Sequence, residues 1–315
     1  MESKLPSVTI VLATYNRASS LSQYSLPAIT KLTYSNYEVI VIDDASTDDT
    51  HNVFKTYETQ MTNLRILSNH QNRGACFSRN LGVAHAKGEI IVFIDDDVSP
   101  LPDCLNKIVK VYIEDKEVAA AWGCVLEKSH LTDQYSKKFG NGSLWSVRRK
   151  VFDDLRFDTN LQYFRTSACD EHELARRIQK CGFKIVRATE AQAYHFLAPA
   201  ENRKWRGIGG DLNYLYEKLK SGSIIEYYID LIAAFSLSLI ISLIKNEAKN
   251  AKTSRKYKYK QLLHTPTRIL IFIKEREFSL ALKWLFYVVI DIPIRAKTKG
   301  VIEYLSKTYS KKWPA

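Results

Sequence analysis

Short apolar runs alternate with longer amphipathic stretches over the first 125 residues of the chain. Residues 8–13 read Val-Thr-Ile-Val-Leu-Ala, a nearly continuous apolar run of the kind that forms a strand covered on both faces. Strands are predicted at 8–13, 38–42, 64–67, 89–94 and 118–125. Helices are predicted at 20–32, from an N-cap at Ser46 or Thr47, at 73–86 and at 102–115.

The regular exchange of strand and helix predicts βαβ units. We therefore expect an α/β fold with a mainly parallel, Rossmann-like sheet and helices on both faces. In such sheets, ligands bind beyond the carboxyl ends of the strands. Two acidic clusters directly follow predicted strands: Asp43-Asp44 follows the second, and Asp95-Asp96-Asp97 follows the fourth. The topology therefore places both clusters on one rim of the sheet.

The chain changes character after residue 125. Residues 126–200 are less regular, with a helix predicted at 169–180 and short strands at 183–186 and 193–196. We predict one domain over residues 1–222, with halves of about 1–125 and 126–222. A helical C-terminal region rich in apolar and basic residues is predicted at 223–315.

Positive charge is concentrated in that C-terminal region. The whole chain carries 46 Lys and Arg against 34 Asp and Glu, and residues 223–315 hold 17 of the former against 7 of the latter. Most of the net charge of +12 therefore lies there. A basic region suits an anionic membrane surface or nucleic acid, although a solvated charged face is the commoner case. Because the rest of the chain is nearly neutral, we do not expect nucleic acid as a partner.

Two apolar stretches, at 224–244 and 278–294, approach the length of a membrane span, but each carries charged residues. If they crossed a bilayer as a hairpin, the basic loop between them would lie on the far side, against the positive-inside bias. We expect instead two helices lying in the cytoplasmic membrane interface, with the basic loop against anionic lipid. A soluble helical subdomain is the alternative.

The location of the protein is expected to be cytoplasmic, peripheral on the inner face of the cell membrane. The sequence opens without the charged and apolar segments of a secretory signal. Its five cysteines are odd in number and scattered without CxxC spacing, which is typical of reduced thiols and not of a disulfide framework or a zinc site.

The acidic triplet Asp95-Asp96-Asp97 predicts a cation site. Three adjacent aspartates repel one another, and clustering them is costly unless a cation neutralises them. Mg²⁺ and Mn²⁺ take oxygen ligands and commonly share them with substrate phosphates, where the metal stabilises negative charge as it develops. The alternative is a solvated acidic loop at a helix start.

Other polar groups could complete such a site. The carboxylates of Asp43 and Asp44 could accept hydrogen bonds from a nucleobase or a ribose hydroxyl, or they could cap the following helix. His195 ends a short predicted strand and could be a third metal ligand, a diphosphate contact or a packing residue. The acids Asp170 and Glu171 could serve as a general base, or could stabilise the start of a helix.

Four ordered blocks of the sequence resemble family 2 glycosyltransferases of the GT-A fold. The blocks lie at residues 8–17, 41–48, 72–82 and 88–97, and the last of them ends in a DXD-type motif. Residues 170–177 resemble the acidic helix start on the acceptor side of the same family. The resemblance covers roughly residues 6–215 and fades in the C-terminal region.

The resemblance implies an inverting transfer from a nucleoside-diphosphate sugar that requires Mn²⁺ or Mg²⁺. Residues 1–125 would form the nucleotide-sugar half of the domain and residues 126–222 the acceptor half. The implied nucleotide-sugar site comprises Thr14, Tyr15, Asn16, Arg17, Asp43, Asp44, Arg79, Asp95 and Asp96. Among these, Thr14, Tyr15 and Asp44 would surround the nucleobase, and Arg79 would lie near the base or the diphosphate. Asp97 would ligate the metal, Asp96 would face both ribose and metal, and His195 is the expected further ligand.

The resemblance also implies a catalytic base, which counting back from Leu174 places at Glu171. Here the chain departs from the family, which usually has Glu-Asp where this sequence has Asp170-Glu171. Asp170 therefore remains the alternative base.

The function expected from the resemblance is metal-dependent transfer of a sugar. The expected donor is a UDP-sugar, the commonest donor in the family. The acceptor would be a glycan or a lipid-linked molecule in cell-surface polysaccharide or glycoconjugate synthesis. A non-catalytic nucleotide-sugar or glycan-binding protein with a decayed site is the alternative, but the intact acids at 95–97 and 170–171 argue against it.

Overall fold

The computed structural model describes residues 5–128, 135–139, 142–161 and 170–196. Apart from Asn160 and Leu161, these residues belong to one compact unit. The predicted domain boundary at residue 222 and the predicted C-terminal region lie outside the described residues. Within the described ranges, no helix combines the length and apolar character that crossing a membrane requires.

Nine strands and six α-helices make up the described part of the chain. The strands are β1 (Val8–Thr14), β2 (Tyr37–Asp43), β3 (Leu64–Ser68), β4 (Ile90–Ile94), β5 (Val98–Pro100), β6 (Val118–Lys128), β7 (Tyr135–Phe139), β8 (Leu144–Arg148) and β9 (Lys184–His195). The helices are α1 (Ala18–Ser20), α2 (Leu26–Ile29), α3 (Thr50–Gln60), α4 (Ala75–His85), α5 (Cys104–Glu114) and α6 (Asp170–Lys180). A π-helical turn at Leu21–Ser25 joins α1 to α2, and a 3₁₀ helix at Arg149–Asp153 follows β8.

The strands form one mixed sheet in the order β3-β2-β1-β4-β8-β6-β9-β5, with β7 paired to β6. The prediction of parallel pairing is confirmed for β1 to β4. Beyond β4 the prediction holds only for β6 and β9, which pair in parallel. It is wrong for the other pairs, because β8 runs antiparallel to both β4 and β6, β7 runs antiparallel to β6, and β5 runs antiparallel to β9. The connections between β6, β7 and β8 are too short for the helical crossover that parallel neighbours need.

Helices cover both faces of the sheet, as predicted. On one face, Ile10 and Leu12 of β1 share a buried apolar cluster with Leu105 and Ile108 of α5. Alternate strand residues point the other way, and there α4 packs so closely that a Cβ atom on Gly82 would lie 2.6 Å from Val11 Cγ1. Packing on both faces of the sheet fixes the positions of the carboxyl ends of β1, β2 and β4.

Two predicted element boundaries were wrong. The helix α3 begins at Thr50 instead of after a cap at Ser46 or Thr47, because Asp48 Oδ1 accepts the Thr50 N–H (3.1 Å) and Ser46 Oγ accepts a bond from another loop. The two strands predicted at 183–186 and 193–196 are one strand, β9, which pairs with β6 along its length through two register shifts. Such bulges let a long strand follow a twisted partner.

Candidate active site

The loop after β1 is fastened to the neighbouring strand ends. The Thr14 hydroxyl donates to Asp96 Oδ2 (2.8 Å), so the end of β1 is tied to the loop after β4. Asn16 adopts a left-handed backbone conformation (φ 52°), and its Oδ1 accepts the Thr47 N–H (2.7 Å). Asn16 therefore fixes the shape of the rim, whereas the neighbouring Tyr15 is 36% exposed to solvent.

The two aspartates at the end of β2 have different surroundings. Asp44 is buried, and its carboxylate accepts three hydrogen bonds, from Asn69 Nδ2 (2.7 Å) and from the N–H groups of Arg73 (2.8 Å) and Gly74 (2.7 Å). Asp43 is partly exposed, and its Oδ1 accepts the Ser46 N–H (3.0 Å). Asp44 organises the loop before α4. Among the residues that the structure describes, no donor bonds the second carboxylate oxygen of Asp43.

The acidic triplet follows β4 and lies in the same rim. Asp96 and Asp97 are buried, and the Arg17 guanidinium approaches both, with Nε 3.8 Å from Asp96 Oδ1 and Nη2 3.9 Å from Asp97 Oδ2. Burial and the adjacent Asp97 raise the pKa of Asp96 to about 7, although Arg17 and the Thr14 hydroxyl oppose the shift. This crowding of carboxylates favours a bound cation.

His195 reaches the triplet from the end of β9. Strand β5 pairs Val98 with His195, and this pairing brings His195 Nε2 to 3.4 Å from Asp97 Oδ1. Its Nδ1 lies 2.9 Å from Glu127 Oε1, on the neighbouring strand β6. Burial alone would favour the neutral ring, but Asp97 and Glu127 outweigh it and raise the pKa of His195. A carboxylate at Nδ1 is the usual means of directing Nε2 toward a metal.

The donors of Asp96, Asp97 and His195 fit a divalent metal in part. Among the described residues, no three His, Cys, Asp or Glu side chains are arranged to hold a metal ion by themselves. Mg²⁺ and Mn²⁺ ordinarily accept a few protein ligands and take the others from phosphate and water. The carboxylate oxygens of Asp96 and Asp97 are ligands that suit Mn²⁺ and Mg²⁺, so these residues are compatible with a metal shared between protein and substrate.

Arg79 joins the triplet to the acid pair at the start of α6. Its guanidinium is buried and donates to Asp95 Oδ1 (3.0 Å) and to Asp170 Oδ2. Although burial disfavours its charge, Asp170 and Asp95 raise the pKa of Arg79 above its usual value. The Cys76 thiol also lies against Asp170 (3.5 Å), and burial together with Asp170 raises the pKa of that thiol. Arg79 is thus engaged by protein carboxylates within the described structure.

The two acids of the pair have different surroundings. Asp170 is 1% exposed, and burial, opposed by Arg79 and reinforced by Glu171, raises its pKa. Glu171 has a 14% exposed side chain, and its Oε1 accepts the Gly142 N–H (3.1 Å). Burial opposes ionisation of Glu171, but hydrogen bonds with Asp170 and His172 and the charge of Arg79 outweigh it and lower the pKa. Asp170 is thus paired with the Arg79 guanidinium, whereas Glu171 is oriented by the Gly142 N–H and is the more exposed of the two.

The structure gathers the predicted residues into two connected groups. Thr14, Arg17, Asp96, Asp97 and His195 meet in one group, and Arg79 links Asp95 to Asp170 and Glu171 in the other. Sequence reasoning missed several residues that contact these groups, among them Cys76, Glu127 and Gly142. Residues 140–142 read Gly-Asn-Gly, a pattern typical of a turn. The sequence around Glu127 and Cys76 contains no pattern that indicates a partner so distant along the chain.

Comparison with known sequences identifies the family. A model of glycosyl transferase family 2 matches residues 9–170, about half of the chain. Glycosyltransferase AglE of Haloferax volcanii is 38% identical over 109 residues, which cover 34% of this chain and 36% of AglE. The Escherichia coli UDP-Glc:alpha-D-GlcNAc-diphosphoundecaprenol beta-1,3-glucosyltransferase WfgD is 36% identical over 90 residues, which cover 29% of this chain and 34% of WfgD. The matched segment thus spans about a third of the length of these relatives.

Solved structures agree with the fold. The mannosyltransferase PcManGT from Pyrobaculum calidifontis, in complex with GDP-Man and Mn²⁺, superposes with a TM-score of 0.59 at 19% identity, covering 91% of this chain and 87% of that one. GalNAc-T7 with UDP, GalNAc and Mn²⁺ superposes with a TM-score of 0.58 at 14% identity, covering 83% of this chain and 54% of that one. The fold and the family model together confirm the resemblance seen in the sequence, and the chain belongs to glycosyl transferase family 2.

Proposed function

We propose that this protein transfers a sugar, with inversion at the anomeric carbon, from a nucleoside-diphosphate sugar to a hydroxyl group of a glycan or lipid-linked acceptor, and that the reaction requires Mn²⁺ or Mg²⁺. The observation that carries the proposal is the bridge made by Arg79, which binds Asp95 of the acidic triplet and Asp170 of the acid pair. The Arg79 side chain therefore lies between two groups of carboxylates. One group is suited to hold a donor, and the other is suited to activate an acceptor.

In this proposal, the donor binds at the rim formed by the ends of β1, β2 and β4. The free oxygen of Asp43 makes this residue, more than Asp44, suited to accept a hydrogen bond from a base or ribose, because Asp44 already accepts three. Tyr15 offers an exposed ring beside that position, and Arg17 offers a cation for a diphosphate. Asn16 acts indirectly, through the shape of the loop.

The metal would be held by Asp97 and His195, with Asp96 as the shared ribose and metal contact. When bound, it would supply positive charge that stabilises the departing diphosphate. Thr14 holds Asp96, and Glu127 holds His195, so each proposed ligand has a partner that fixes its orientation. The structural relatives crystallised with Mn²⁺ support the choice of metal.

Glu171 is assigned as the catalytic base, in preference to Asp170. Asp170 is buried and committed to Arg79, whereas the Glu171 side chain is 14% exposed. In the proposed step, Glu171 takes the proton of the acceptor hydroxyl as its oxygen attacks the anomeric carbon. The bond from that carbon to the diphosphate oxygen breaks, and the diphosphate leaves with the electron pair. A single displacement from the opposite side inverts the configuration.

The donor class and acceptor class rest on the relatives. WfgD, whose name gives a UDP-sugar donor and a diphosphoundecaprenol acceptor, supports a UDP-sugar and a lipid-linked acceptor for this chain. Because the structure of PcManGT contains GDP-Man, a GDP-sugar should also be tested as a donor. A role in the synthesis of cell-surface polysaccharide or glycoconjugate follows from that acceptor class.

The first test is a thermal-shift screen of UDP, GDP and the corresponding donor sugars, with and without Mn²⁺, followed by assay of diphosphate release from those donors. Because a specific ligand raises apparent stability by mass action, one nucleotide should raise the Tm, and more so with Mn²⁺. The variant Asp97→Asn should lose the Mn²⁺ increment, and the exposed control Asp153→Asn should keep it. If no nucleotide raises the Tm and no donor turns over, the proposal is wrong. Binding without turnover would indicate the non-catalytic alternative.

We also propose that the protein lies on the cytoplasmic face of the membrane through residues 223–315. The support is the charge of this region, 17 Lys and Arg against 7 Asp and Glu. The full-length protein should float with vesicles containing phosphatidylglycerol, should not float with phosphatidylcholine alone, and should be released by salt. Equal recovery with both vesicle types, or tighter binding to DNA at matched salt, would contradict the membrane proposal.

A further inference from the structure

The Glu171 carboxyl group lies against the backbone of Gly142. The Gly142 N–H donates to Glu171 Oε1 (3.1 Å). A Cβ atom on Gly142 would lie 2.7 Å from Glu171 Cγ, and closer still to Cδ and Oε1. Carbon atoms in ordinary contact are about 3.5 to 4.0 Å apart. Any side chain at position 142 would therefore have to displace the Glu171 carboxylate.

Gly142 is itself held in register with the acidic triplet. The next residue, Ser143, accepts the Asp95 N–H through its carbonyl oxygen (3.2 Å). The residue after that, Leu144, is paired with Ile94 at the end of β4. The position of Gly142 is thus set by the pairing of β8 with the strand that carries the triplet.

We infer that Gly142 is a positioning residue that sets the place of the Glu171 carboxylate relative to the acidic triplet. It does so through two features: its N–H orients one carboxylate oxygen, and its lack of a side chain leaves room for the carboxyl group. The inference rests on the proposed function, because a positioned carboxylate matters to the reaction only if Glu171 is the base.

Position 142 requires glycine because a side chain there would occupy the space of the Glu171 carboxyl group, and not because of its backbone conformation. Among the described glycines, only Gly74 and Gly182 have a positive φ, so the backbone of Gly142 is one that alanine can adopt. Gly142→Ala therefore adds a methyl group without forcing the chain into a left-handed conformation. The variant tests the clash with Glu171 separately from backbone strain.

A double-mutant cycle tests the inference: Gly142→Ala, Glu171→Asp, and the two combined. The shorter aspartate ends at Cγ, so its carboxyl group withdraws by one methylene, the two closest contacts are lost, and the clash with the added methyl is reduced to the approach at Cγ. The readouts are kcat and KM for diphosphate release from the donor that turns over in the panel, Mn²⁺-dependent nucleotide affinity, and the Tm of each variant.

Gly142→Ala alone should lower kcat by about tenfold to a hundredfold, since a misplacement of about 1 Å can cost that much. Its KM and its nucleotide affinity should stay within about twofold of the parent, because distant sites change independently. In the Glu171→Asp background, where the clash is reduced, the same substitution should lower kcat by a smaller factor than in the parent protein. This smaller effect is what coupling between the two positions predicts.

Equal losses from Gly142→Ala in both backgrounds, or a loss of nucleotide affinity and Tm that matches the loss of kcat, would overturn the inference. Glu171→Gln separates this failure from failure of the proposed function. If Glu171→Gln abolishes diphosphate release while Gly142→Ala has no effect, only the positioning role is wrong. If Glu171→Gln leaves release intact, the assignment of the base is wrong, and the positioning role is wrong with it.

Discussion

Two carboxylate-rich regions of the proposed site are built differently. One is the proposed donor rim, which comprises Thr14, Asp43, Asp95, Asp96 and Asp97, and the other is the proposed acceptor-side cluster, which comprises Gly142, Asp170 and Glu171. The rim follows three parallel strands whose apolar runs fix where each strand ends. The acceptor-side cluster joins a helix start to a turn before an antiparallel strand. The rim therefore depends on local sequence, whereas the cluster depends on pairing between distant segments.

This difference separates two tasks. Under the proposed function, the rim gathers buried carboxylates beside the Arg17 guanidinium, an arrangement suited to hold a metal and a diphosphate. The cluster pairs Asp170 with Arg79 and orients the Glu171 carboxylate through the Gly142 N–H. We expect changes in the rim to act on binding of the metal and nucleotide, and changes in the cluster to act on turnover.

The largest expected effect is that of Glu171→Gln, which should lower turnover by about 10² to 10⁴, the range for loss of a general base. Nucleotide affinity should not change, because Glu171 belongs to the cluster and not to the rim. The assay is diphosphate release from the active donor, with the exposed Glu190→Gln as control. If Glu171→Gln keeps most of its turnover and Asp170→Asn loses it, Asp170 is the base.

The effect of Arg79→Met should be the next largest, because this substitution removes the side chain that links the rim to the cluster. It leaves Asp170 without its buried cation, and removing one partner of a buried ion pair costs about 3 to 5 kcal/mol. Urea unfolding measures the loss, with the exposed Arg65→Met as control. Unchanged stability together with weaker nucleotide binding would instead place Arg79 on the diphosphate, as the family resemblance implies.

A smaller effect is expected from Glu127→Ala, which tests the support of the rim from strand β6. Loss of a carboxylate that orients a metal-binding histidine typically costs 10 to 100-fold in metal affinity. Mn²⁺ affinity in the presence of the nucleotide can be measured by electron paramagnetic resonance. The exposed Glu117→Ala serves as control. Unchanged Mn²⁺ affinity would make His195 a packing residue.

The smallest effect concerns Ala45, which follows Asp44 with a left-handed backbone (φ 65°). Such a conformation strains any residue with a Cβ atom, so Ala45→Gly should raise stability by about 1 kcal/mol or less. The same substitution at Ala86, which has φ −70°, should lower it by about 0.5 to 1 kcal/mol. Thermal unfolding of both variants checks the difference, and a change of the same sign in each would contradict the strain at Ala45.

The sequence allowed the rim to be predicted more fully than the cluster. Strands β1, β2 and β4 are largely apolar runs, and β2 and β4 lead directly into aspartates. Their parallel order follows from the helices between them. The approach of His195 to Asp97 depends on β5, a strand of three residues that no local pattern indicates. The Glu127 contact depends on the parallel register of β6 with β9, and the Gly142 contact depends on the antiparallel pairing of β8 with β4. A local pattern does not encode register between segments so far apart in the chain.

The most direct test of the division between rim and cluster is the affinity of the selected nucleoside diphosphate as a function of Mn²⁺. Isothermal titration of the parent protein, Asp97→Asn and Glu171→Gln would measure it. We predict that Asp97→Asn loses the Mn²⁺-dependent gain in affinity, whereas Glu171→Gln keeps it within about twofold. Full Mn²⁺-dependent affinity in Asp97→Asn, or an equal loss in both variants, would contradict the account.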